Sequence, residues 1–205
     1  MTESTENLKK LLEKRGKRLN HIGTIEITTQ RFLLRAIKES DYKDMYQYTV
    51  KEEVAKYVSW SPHKSIEDTK ALCKMWAEEY KNSDRYNWAI VFNDKVIGNI
   101  DVGKIVDENA FLGWQIDSAY WNKGIVTEAA IAVRNFLFQE VGVNGIYASY
   151  IAENIGSGRV MQKIGMKEIT HKEYCAALKQ ECEKVIDGLP VFFYGLTKEE
   201  WQSEK

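Results

Sequence analysis

Residues 121–129 read Trp-Asn-Lys-Gly-Ile-Val-Thr-Glu-Ala and separate a predicted strand, Phe111 to Ile116, from the longest predicted helix, Thr127 to Val141. The amide N–H groups of a helix's first turn have no intrahelical acceptor, and the helix dipole adds positive potential there. Such a turn can therefore bind a phosphate or pyrophosphate. Gly124 allows the backbone to approach the anion closely, and Lys123 adds a positive charge. A single glycine is equally compatible with an ordinary strand-to-helix turn.

The glycine pattern of this segment excludes two large classes of nucleotide-binding protein. It has no paired Gly-Lys-Ser/Thr as in a Walker A loop and no three spaced glycines as in a Rossmann fingerprint.

Outward from this turn, hydrophobic periodicity and turn residues predict alternating strands and helices. The predicted helices are Tyr42 to Tyr57 with a break near Val50, a helix starting at the capping box Ser65/Asp68, Thr127 to Val141, and Ser157 to Ile164. The predicted strands are Phe32 to Ile37, Trp88 to Phe92, Val96 to Val102, Phe111 to Ile116, Ile146 to Ala152, Met166 to Tyr174 and Val191 to Leu196. This order predicts a mixed α/β fold with one central sheet.

The amino-acid composition limits the kinds of partner that the chain can bind and the compartment expected for it. The chain has 205 residues, 29 basic and 30 acidic side chains and a net charge of −1, which argues against binding through bulk attraction to nucleic acid or membrane. Cys73, Cys175 and Cys182 are odd in number and lack the close Cys and His pairing of a zinc site, so we expect reduced thiols and no metal. The sequence contains neither a long apolar span nor a signal-peptide core, so a cytoplasmic location is expected.

The N-terminal residues differ from the rest of the chain. Six basic side chains between Lys9 and Arg18 surround the apolar positions Leu8, Leu11, Leu12 and Leu19. This pattern predicts a basic helical arm over residues 1–23, followed by one domain over residues 24–205. A solvated or subunit-packing arm is the simpler interpretation, and a basic-arm RNA or ribosome-binding role is the alternative.

Four segments resemble, in the right order, those of the GNAT superfamily of N-acetyltransferases. Residues 121–129 resemble its acyl-CoA pyrophosphate loop, Gln/Arg-x-x-Gly-x-Gly/Ala followed by Thr-Glu-Ala, with Trp121 where Gln or Arg is usual and Val126 where a small residue is usual. The other three segments are 29–35, resembling the first strand, 154–166, resembling Asn-x-x-Ser…Lys-x-Gly-Phe, and 193–201, resembling the chain's ending. Together they are similar to the branch that contains the ribosomal-protein N-terminal alanine acetyltransferases.

The resemblance implies a single, mostly antiparallel sheet that splays beside Phe111 to Ile116 and holds acetyl-CoA, the acetyl donor, in the gap. By analogy, Ile116 and Asp117 would contact the pantetheine arm through main-chain hydrogen bonds, and Asn154 would touch it as well. The pyrophosphate would lie on the amides of residues 122–127, which are Asn122, Lys123, Gly124, Ile125, Val126 and Thr127. Asn154 is also a good helix N-cap, and both roles can hold together.

Acetyl transfer to an amine needs a neutral amine, a polarised thioester carbonyl and a proton for the departing thiolate. By resemblance, Ser157 would protonate the thiolate. Glu173, before a tyrosine on the strand expected to face the acceptor, would be the general base. Asp101, Asp117 and Tyr174 are alternatives for the base. Cys175 has no histidine partner at a recognisable spacing and is assigned to packing rather than to covalent catalysis.

The sequence leaves the acceptor amine and the function class open. A protein N-terminus, a polyamine or other small amine, and an aminoglycoside-like compound are all compatible with direct attack in a ternary complex. We expect the acceptor pocket to be formed by the loop Tyr57 to Lys64, the helix that follows it and the hairpin Glu173 to Pro190. A non-catalytic acyl-CoA-binding or regulatory module is the alternative to an enzyme. A homodimer is the commonest assembly for such a protein.

Overall fold

The computed structural model describes residues 19–58 and 60–203. The helices are α1 (Tyr42–Thr49), α2 (Glu52–Ala55), α3 (Ile66–Glu79), α4 (Ile125–Phe136), α5 (Ile155–Lys163), α6 (His171–Leu178) and α7 (Lys198–Ser203). The strands are β1 (Ile27–Thr28), β2 (Leu33–Ala36), β3 (Tyr86–Phe92), β4 (Lys95–Val106), β5 (Asn109–Ile116), β6 (Gly145–Ile151), β7 (Lys167–Ile169), β8 (Val185–Ile186) and β9 (Leu189–Thr197). No helix in these ranges is both long and apolar enough to cross a membrane.

The strands form one sheet in the order β1-β2-β3-β4-β5-β6-β9-β7, with β8 paired to β9 as a short hairpin. Within the described ranges, β5 and β6 are the one parallel pair, and the other neighbours run antiparallel. The turn between β3 and β4 places Asn93 and Asp94 at φ of 49° and 60°, which suits the right-handed twist of a tight hairpin. The predicted mixed, mostly antiparallel sheet flanked by helices is confirmed.

Helices cover both faces of the sheet. The largest core cluster packs α4 and part of α5 against one face, around Trp88, Phe136 and Ile146. On the opposite face, α1 and α3 pack around Tyr48 and Cys73 over the first half of the sheet. A third cluster, Phe111, Tyr174 and Phe193, lies under α6 over the second half.

Most predicted helices are confirmed with small shifts in their ends. The break near Val50 separates α1 from α2, and the Ser65/Asp68 capping box starts α3. The predicted helix to Val141 ends in a wider turn over Leu137–Val141, closed by a hydrogen bond from Gly142 N to Leu137 O.

The prediction of a strand over Met166 to Tyr174 is wrong after Ile169. Thr170 is the N-cap of α6, accepting a hydrogen bond from Glu173 N, while the Glu173 carboxylate accepts from Thr170 N at 2.7 Å. Thr170 and Glu173 thus form a capping box, a local signal that outweighs the strand-like alternation before it.

The predicted basic arm lies almost entirely outside the described residues, which begin at residue 19. Two residues from its end contact the domain. Asn20 N donates to Val141 O at 2.9 Å, and His21 Nδ1 lies 3.1 Å from Tyr86 Oη. Residues 20 and 21 therefore pack on the sheet domain.

Candidate active site

The sheet opens between β5 and β6. These strands pair only at Asn109 to Phe111 of β5, after which β6 continues along β9 as far as Ile151. A cavity of about 1050 Å³ occupies the opening and is lined by both strands and by the N-terminal ends of α4 and α5. This volume exceeds the usual upper range for a small-ligand pocket, so it can hold an extended ligand together with a second molecule.

The turn before α4 has the backbone of an anion site. Gly124 is the N-cap at φ of 71°, a left-handed conformation that L side chains rarely adopt, and Asn122 lies at φ of 59°. Gly124 has no side chain to cap the helix, so the first N–H groups of α4 are left for a ligand. Ile125, Val126 and Thr127 line the cavity beside it.

Arg31 fixes this turn from outside the cavity. Its Nε and N atoms donate to the Glu128 carboxylate at 2.6 and 3.0 Å, and its Nη1 donates to Lys123 O at 2.9 Å. Burial alone would raise the pKa of Glu128, but the hydrogen bonds from Arg31 and Thr29 outweigh it and lower the pKa. The Lys123 side chain lies over the Tyr120 ring, 5.3 Å from its centroid, and does not line the cavity. The Lys123 backbone is therefore part of the turn, as predicted, but its side chain does not add the predicted charge to the cavity.

Trp121 connects the turn to the end of β5. Its Nε1 donates to Ile116 O at 3.1 Å. The indole, at the position where Gln or Arg is usual, is therefore hydrogen-bonded to the strand. Ile116 lines the cavity, whereas Asp117 does not. Asp117 N donates to Ile97 O, and its carboxylate accepts from Lys51 Nζ at 2.5 Å and from Ala119 N. The polar groups of Asp117 are thus used within the protein, contrary to the prediction that it binds pantetheine or acts as a base.

Asn154 and Ser157 lie together at the N-terminus of α5, and both line the cavity. The Asn154 carboxamide accepts from Ser157 N at 3.2 Å, which confirms the N-cap role. Trp114 Nε1 donates to Ser157 Oγ at 3.2 Å. Because the Ser157 oxygen accepts this hydrogen bond, the hydroxyl proton of Ser157 remains available for donation into the cavity.

Asp101 is half-buried and lines the cavity from β4, opposite Gly113 of β5. Desolvation raises its pKa from 3.8 to about 7, and no cation or hydrogen bond among the described residues offsets this burial. A Cβ at Gly113 would lie 3.2 Å from Asp101 Oδ1, so the absence of a side chain there keeps the carboxyl accessible. This carboxyl can therefore exchange a proton near neutral pH.

Beside Asp101, three carboxamide side chains line the cavity and are hydrogen-bonded in a row. Gln115 Nε2 donates to Asn99 Oδ1 at 2.6 Å, and Asn99 Nδ2 donates to Asn87 Oδ1 at 3.2 Å. Gln115 Oε1 is buried and has no hydrogen-bond partner within the described ranges. Burying an unpaired carbonyl is costly, so this oxygen favours a ligand that brings an N–H or O–H donor.

Glu173 does not lie where the sequence analysis placed it. It is an exposed residue in the first turn of α6, its carboxylate is bound to Thr170, and it does not line the cavity. Tyr174 packs with Phe111 and Phe193 away from the cavity. Neither is positioned as a base, and Asp101 is the remaining alternative. Cys175 is buried and outside the cavity, in agreement with a non-catalytic role.

Other cavity residues agree only in part with the sequence analysis. Of the expected acceptor elements, Tyr57, Trp60 and Trp76 line the cavity, but no residue of the hairpin 173–190 does. That part of the prediction is wrong. Arg159 and Lys163 of α5 also line the cavity, Lys163 beside Gly124 and Thr127, and neither was predicted. Their i, i+4 spacing puts both basic side chains on one face of the helix that follows Asn154, which the sequence alone indicates.

The comparisons with known proteins agree with this geometry. A sequence-family profile described as the acetyltransferase (GNAT) domain matches residues 31–167. A Bacillus subtilis (strain 168) protein described as the uncharacterized N-acetyltransferase YnaD is 31% identical over 178 residues, covering 86% of this chain and 99% of that protein. The crystal structure of a GNAT-family acetyltransferase from Bacillus anthracis aligns with a TM-score of 0.70 at 26% identity, covering 85% of this chain and 99% of the other.

The chain therefore belongs to the GNAT family of acetyltransferases, as the resemblance in sequence implied, and it is an acetyl-CoA-dependent N-acetyltransferase by class. Among more distant structures, RimL, a ribosomal L7/L12 alpha-N-protein acetyltransferase in complex with coenzyme A, shares the fold with a TM-score of 0.70 at 16% identity. That alignment covers 84% of this chain and 98% of the RimL chain.

Proposed function

We propose that the protein transfers the acetyl group of acetyl-CoA to a primary amine by direct attack in a ternary complex, with Asp101 as the general base and Ser157 as the proton donor. The acceptor is a protein N-terminus or a small amine. The observation that carries the proposal is the desolvated Asp101 carboxyl inside the cavity, with a pKa of about 7.

The residues at the opening fit acetyl-CoA, which when bound supplies an activated acetyl thioester. The free N–H groups after Gly124 suit its pyrophosphate, and the unpaired edge of β5 suits an extended amide-containing arm. Ile116 and Asn154 line the path between these two regions. Arg159 and Lys163 add positive charge to the cavity, Lys163 beside the turn, which is favourable for phosphate groups.

Asp101 has the position and the proton affinity of a base. An amine acceptor arrives mainly as an ammonium ion at neutral pH and must lose a proton before its nitrogen can attack. An ordinary exposed carboxylate, with a pKa near 3.9, is too weak a base for this step. A pKa of about 7 brings the Asp101 carboxyl close to the working pH, where proton transfer is most effective.

Ser157 can supply the second proton. Its oxygen already accepts the Trp114 indole N–H, which orients the hydroxyl and leaves its own proton for the departing sulfur. Its place in the first turn of α5 also lets the helix N-terminus stabilise negative charge that develops nearby.

The residues that line the cavity indicate which acceptor amines to test. Gln115 Oε1 and the Asp101 carboxyl are acceptors without a partner among the described residues, and the aromatic rings of Tyr57, Trp60 and Trp76 line the same cavity. This combination favours an amine attached to a second N–H donor or to an apolar group, as at the N-terminus of a peptide.

The test is product formation, followed by mass spectrometry, with acetyl-CoA and a panel of peptides, polyamines and aminoglycosides. We expect at least one amine to gain an acetyl group and CoA to be released in equal amount. Asp101→Asn and Ser157→Ala should each lower the rate, whereas Asp84→Asn, an exposed matched control, should not. Tight acetyl-CoA binding with no product from any amine would instead support the non-catalytic acyl-CoA-binding module.

Three further expectations stay predictions. We propose that residues 24–205 are the acetyltransferase domain and residues 1–23 an arm. We also propose a cytoplasmic location, which the sequence-based expectation and the unpaired cysteines support, and a homodimer, which general frequency supports.

A further inference from the structure

A cluster of sulfur and nitrogen side chains lies on α6, outside the cavity. His171 and Cys175 are four residues apart and therefore share one face of this helix. Lys179 ends the helix in a left-handed conformation, φ 51°, and turns the chain so that Cys182 returns to the same face. None of the three cluster residues lines the cavity.

The three side chains are in contact. Cys175 Sγ lies 2.9 Å from Cys182 Sγ and 3.3 Å from His171 Nε2, and one donor atom from each residue falls within 4.8 Å of the others. The expectation that the cysteines lack close Cys and His pairing is therefore wrong. The helical i, i+4 spacing and the turn at Lys179 create a proximity that the linear spacing does not show.

The surroundings favour a bound ion over a solvated cluster. Cys175 is buried, and His171 and Cys182 are half-buried. The His171 ring packs edge-on against Phe193, 5.2 Å between centroids, which holds its plane. One imidazole nitrogen and two sulfurs form a ligand set preferred by Zn²⁺, and an apolar shell around it limits exchange with water.

We propose that His171, Cys175 and Cys182 form a zinc site of the type His-Cys-Cys with a fourth position open to water. Zn²⁺ binds the two sulfurs as thiolates, so two thiol protons are released for each ion bound and no electrons are transferred.

The geometry needs only a small adjustment. Tetrahedral zinc with bonds of about 2.3 Å to sulfur and about 2.0 Å to nitrogen separates its ligand atoms by about 3.5 to 3.8 Å. The Cys175–Cys182 and Cys175–His171 separations are shorter than this by less than about one ångström, and all three ligand atoms lie within 4.8 Å of one another. Side-chain rotation provides shifts of this size. Without a metal, His171 Nε2 donates to Cys182 O at 2.8 Å. Metal binding at this nitrogen therefore breaks that hydrogen bond, moves the ring proton to Nδ1 and brings the Cys182 sulfur toward the ring.

The site would join two parts of the sheet. The segment that Cys182 anchors contains Gln180, whose Oε1 accepts from Lys104 Nζ of β4 at 3.0 Å, and Lys179, which pairs with Asp107 of the next turn. A metal at Cys182 therefore fixes the segment after α6 against both α6 and the end of β4. This role is structural and is independent of the acetyl transfer proposed above.

The test is metal binding by the full chain, purified with reductant and stripped with a chelator. Titration with Co²⁺ should produce thiolate-to-cobalt charge-transfer absorption that saturates at about one equivalent and is abolished by Zn²⁺. Cys175→Ser, Cys182→Ser and His171→Ala should each weaken or remove this signal, while Cys73→Ala should retain it because Cys73 belongs to a different core cluster. Zn²⁺ should also raise the melting temperature of the intact chain but not that of Cys182→Ser.

Other outcomes would overturn the proposal. One is a cobalt signal that survives in Cys182→Ser and His171→Ala, provided both variants melt cooperatively. Another is a freshly reduced, folded chain that binds no Co²⁺ or Zn²⁺ at one equivalent. A third is a reduced chain that, with one equivalent of Zn²⁺ present, is oxidised by dissolved oxygen and loses two hydrogens by mass through a Cys175–Cys182 disulfide, since the pair would then be a redox pair.

Discussion

Replacing Asp101 by asparagine should stabilise the fold at alkaline pH while impairing catalysis. The folded state raises the pKa of this carboxyl from 3.8 to about 7 by desolvation. Between these values the folded chain holds one proton more than the unfolded chain, so this residue's contribution to stability falls as the pH rises from about 4 to about 7. At 1.36 kcal/mol per unit, ionised Asp101 costs the fold about 4 kcal/mol.

The substitution removes this cost, because asparagine has nearly the same shape and no charge. Urea unfolding of both proteins should show Asp101→Asn gaining about 1.5 kcal/mol at about pH 5 and about 4 kcal/mol at about pH 8.5 relative to the intact chain. Asp84→Asn, on an exposed turn, controls for the loss of one negative charge and should show no such trend.

The same titration should govern the reaction rate. As the base, Asp101 must be ionised, so kcat/KM of the intact enzyme should rise through about pH 7 and then level off. In Asp101→Asn the rate should fall by about a hundredfold or more and lose this inflection. A stability difference that does not change between about pH 5 and about pH 8.5 would refute the reasoning, since Asp101 would then not be a desolvated carboxyl.

Further substitutions examine the other parts of the site. Gly124→Asp places a carboxylate beside the free amides and should abolish the thermal shift produced by CoA, whereas Gly188→Asp, at a similar φ of 79° with nothing nearby, should keep it. Ser157→Ala should lower kcat by about tenfold to a hundredfold with little change in the CoA dissociation constant by calorimetry, and an unchanged kcat would remove its role as proton donor. Arg31→Gln removes the ion pair to Glu128 and should weaken CoA binding severalfold, with a stability loss of about 1 kcal/mol or less because the pair is partly exposed. Equal CoA affinity in Arg31→Gln and the intact chain would show that the turn needs no such clamp.

The elements that follow from local signals were predictable from sequence. Capping residues, turn residues and long periodic stretches placed α3, α4 and the β3–β4 hairpin correctly, because each is specified by neighbours a few residues away. The turn proposed to bind pyrophosphate was predictable for the same reason, since Gly124 lies directly before a helix.

The carboxyl that we propose as the general base was harder to predict because its environment depends on contacts across strands. Asp101 gains its pKa from burial between β3 and β5, and no short window of sequence contains those neighbours. One signal was present. Asn99 and Asp101 alternate with apolar residues inside a strand at the centre of the sheet, where an apolar face would be the rule. Glu173 is the opposite case, because its position is set by a local signal, the capping box with Thr170 that starts α6.

The divergence of β5 from β6 also gives a way to follow occupancy without measuring turnover. Beyond Phe111, no described strand pairs with β5 on the side that faces β6, so we expect the amides on that side to exchange with solvent deuterium quickly in the free protein. A ligand lying along this edge acts as a missing strand and slows their exchange. Mass spectrometry of the peptide covering 112–116 would thus report binding at each step, and the loop 57–64 offers a separate peptide for the acceptor side.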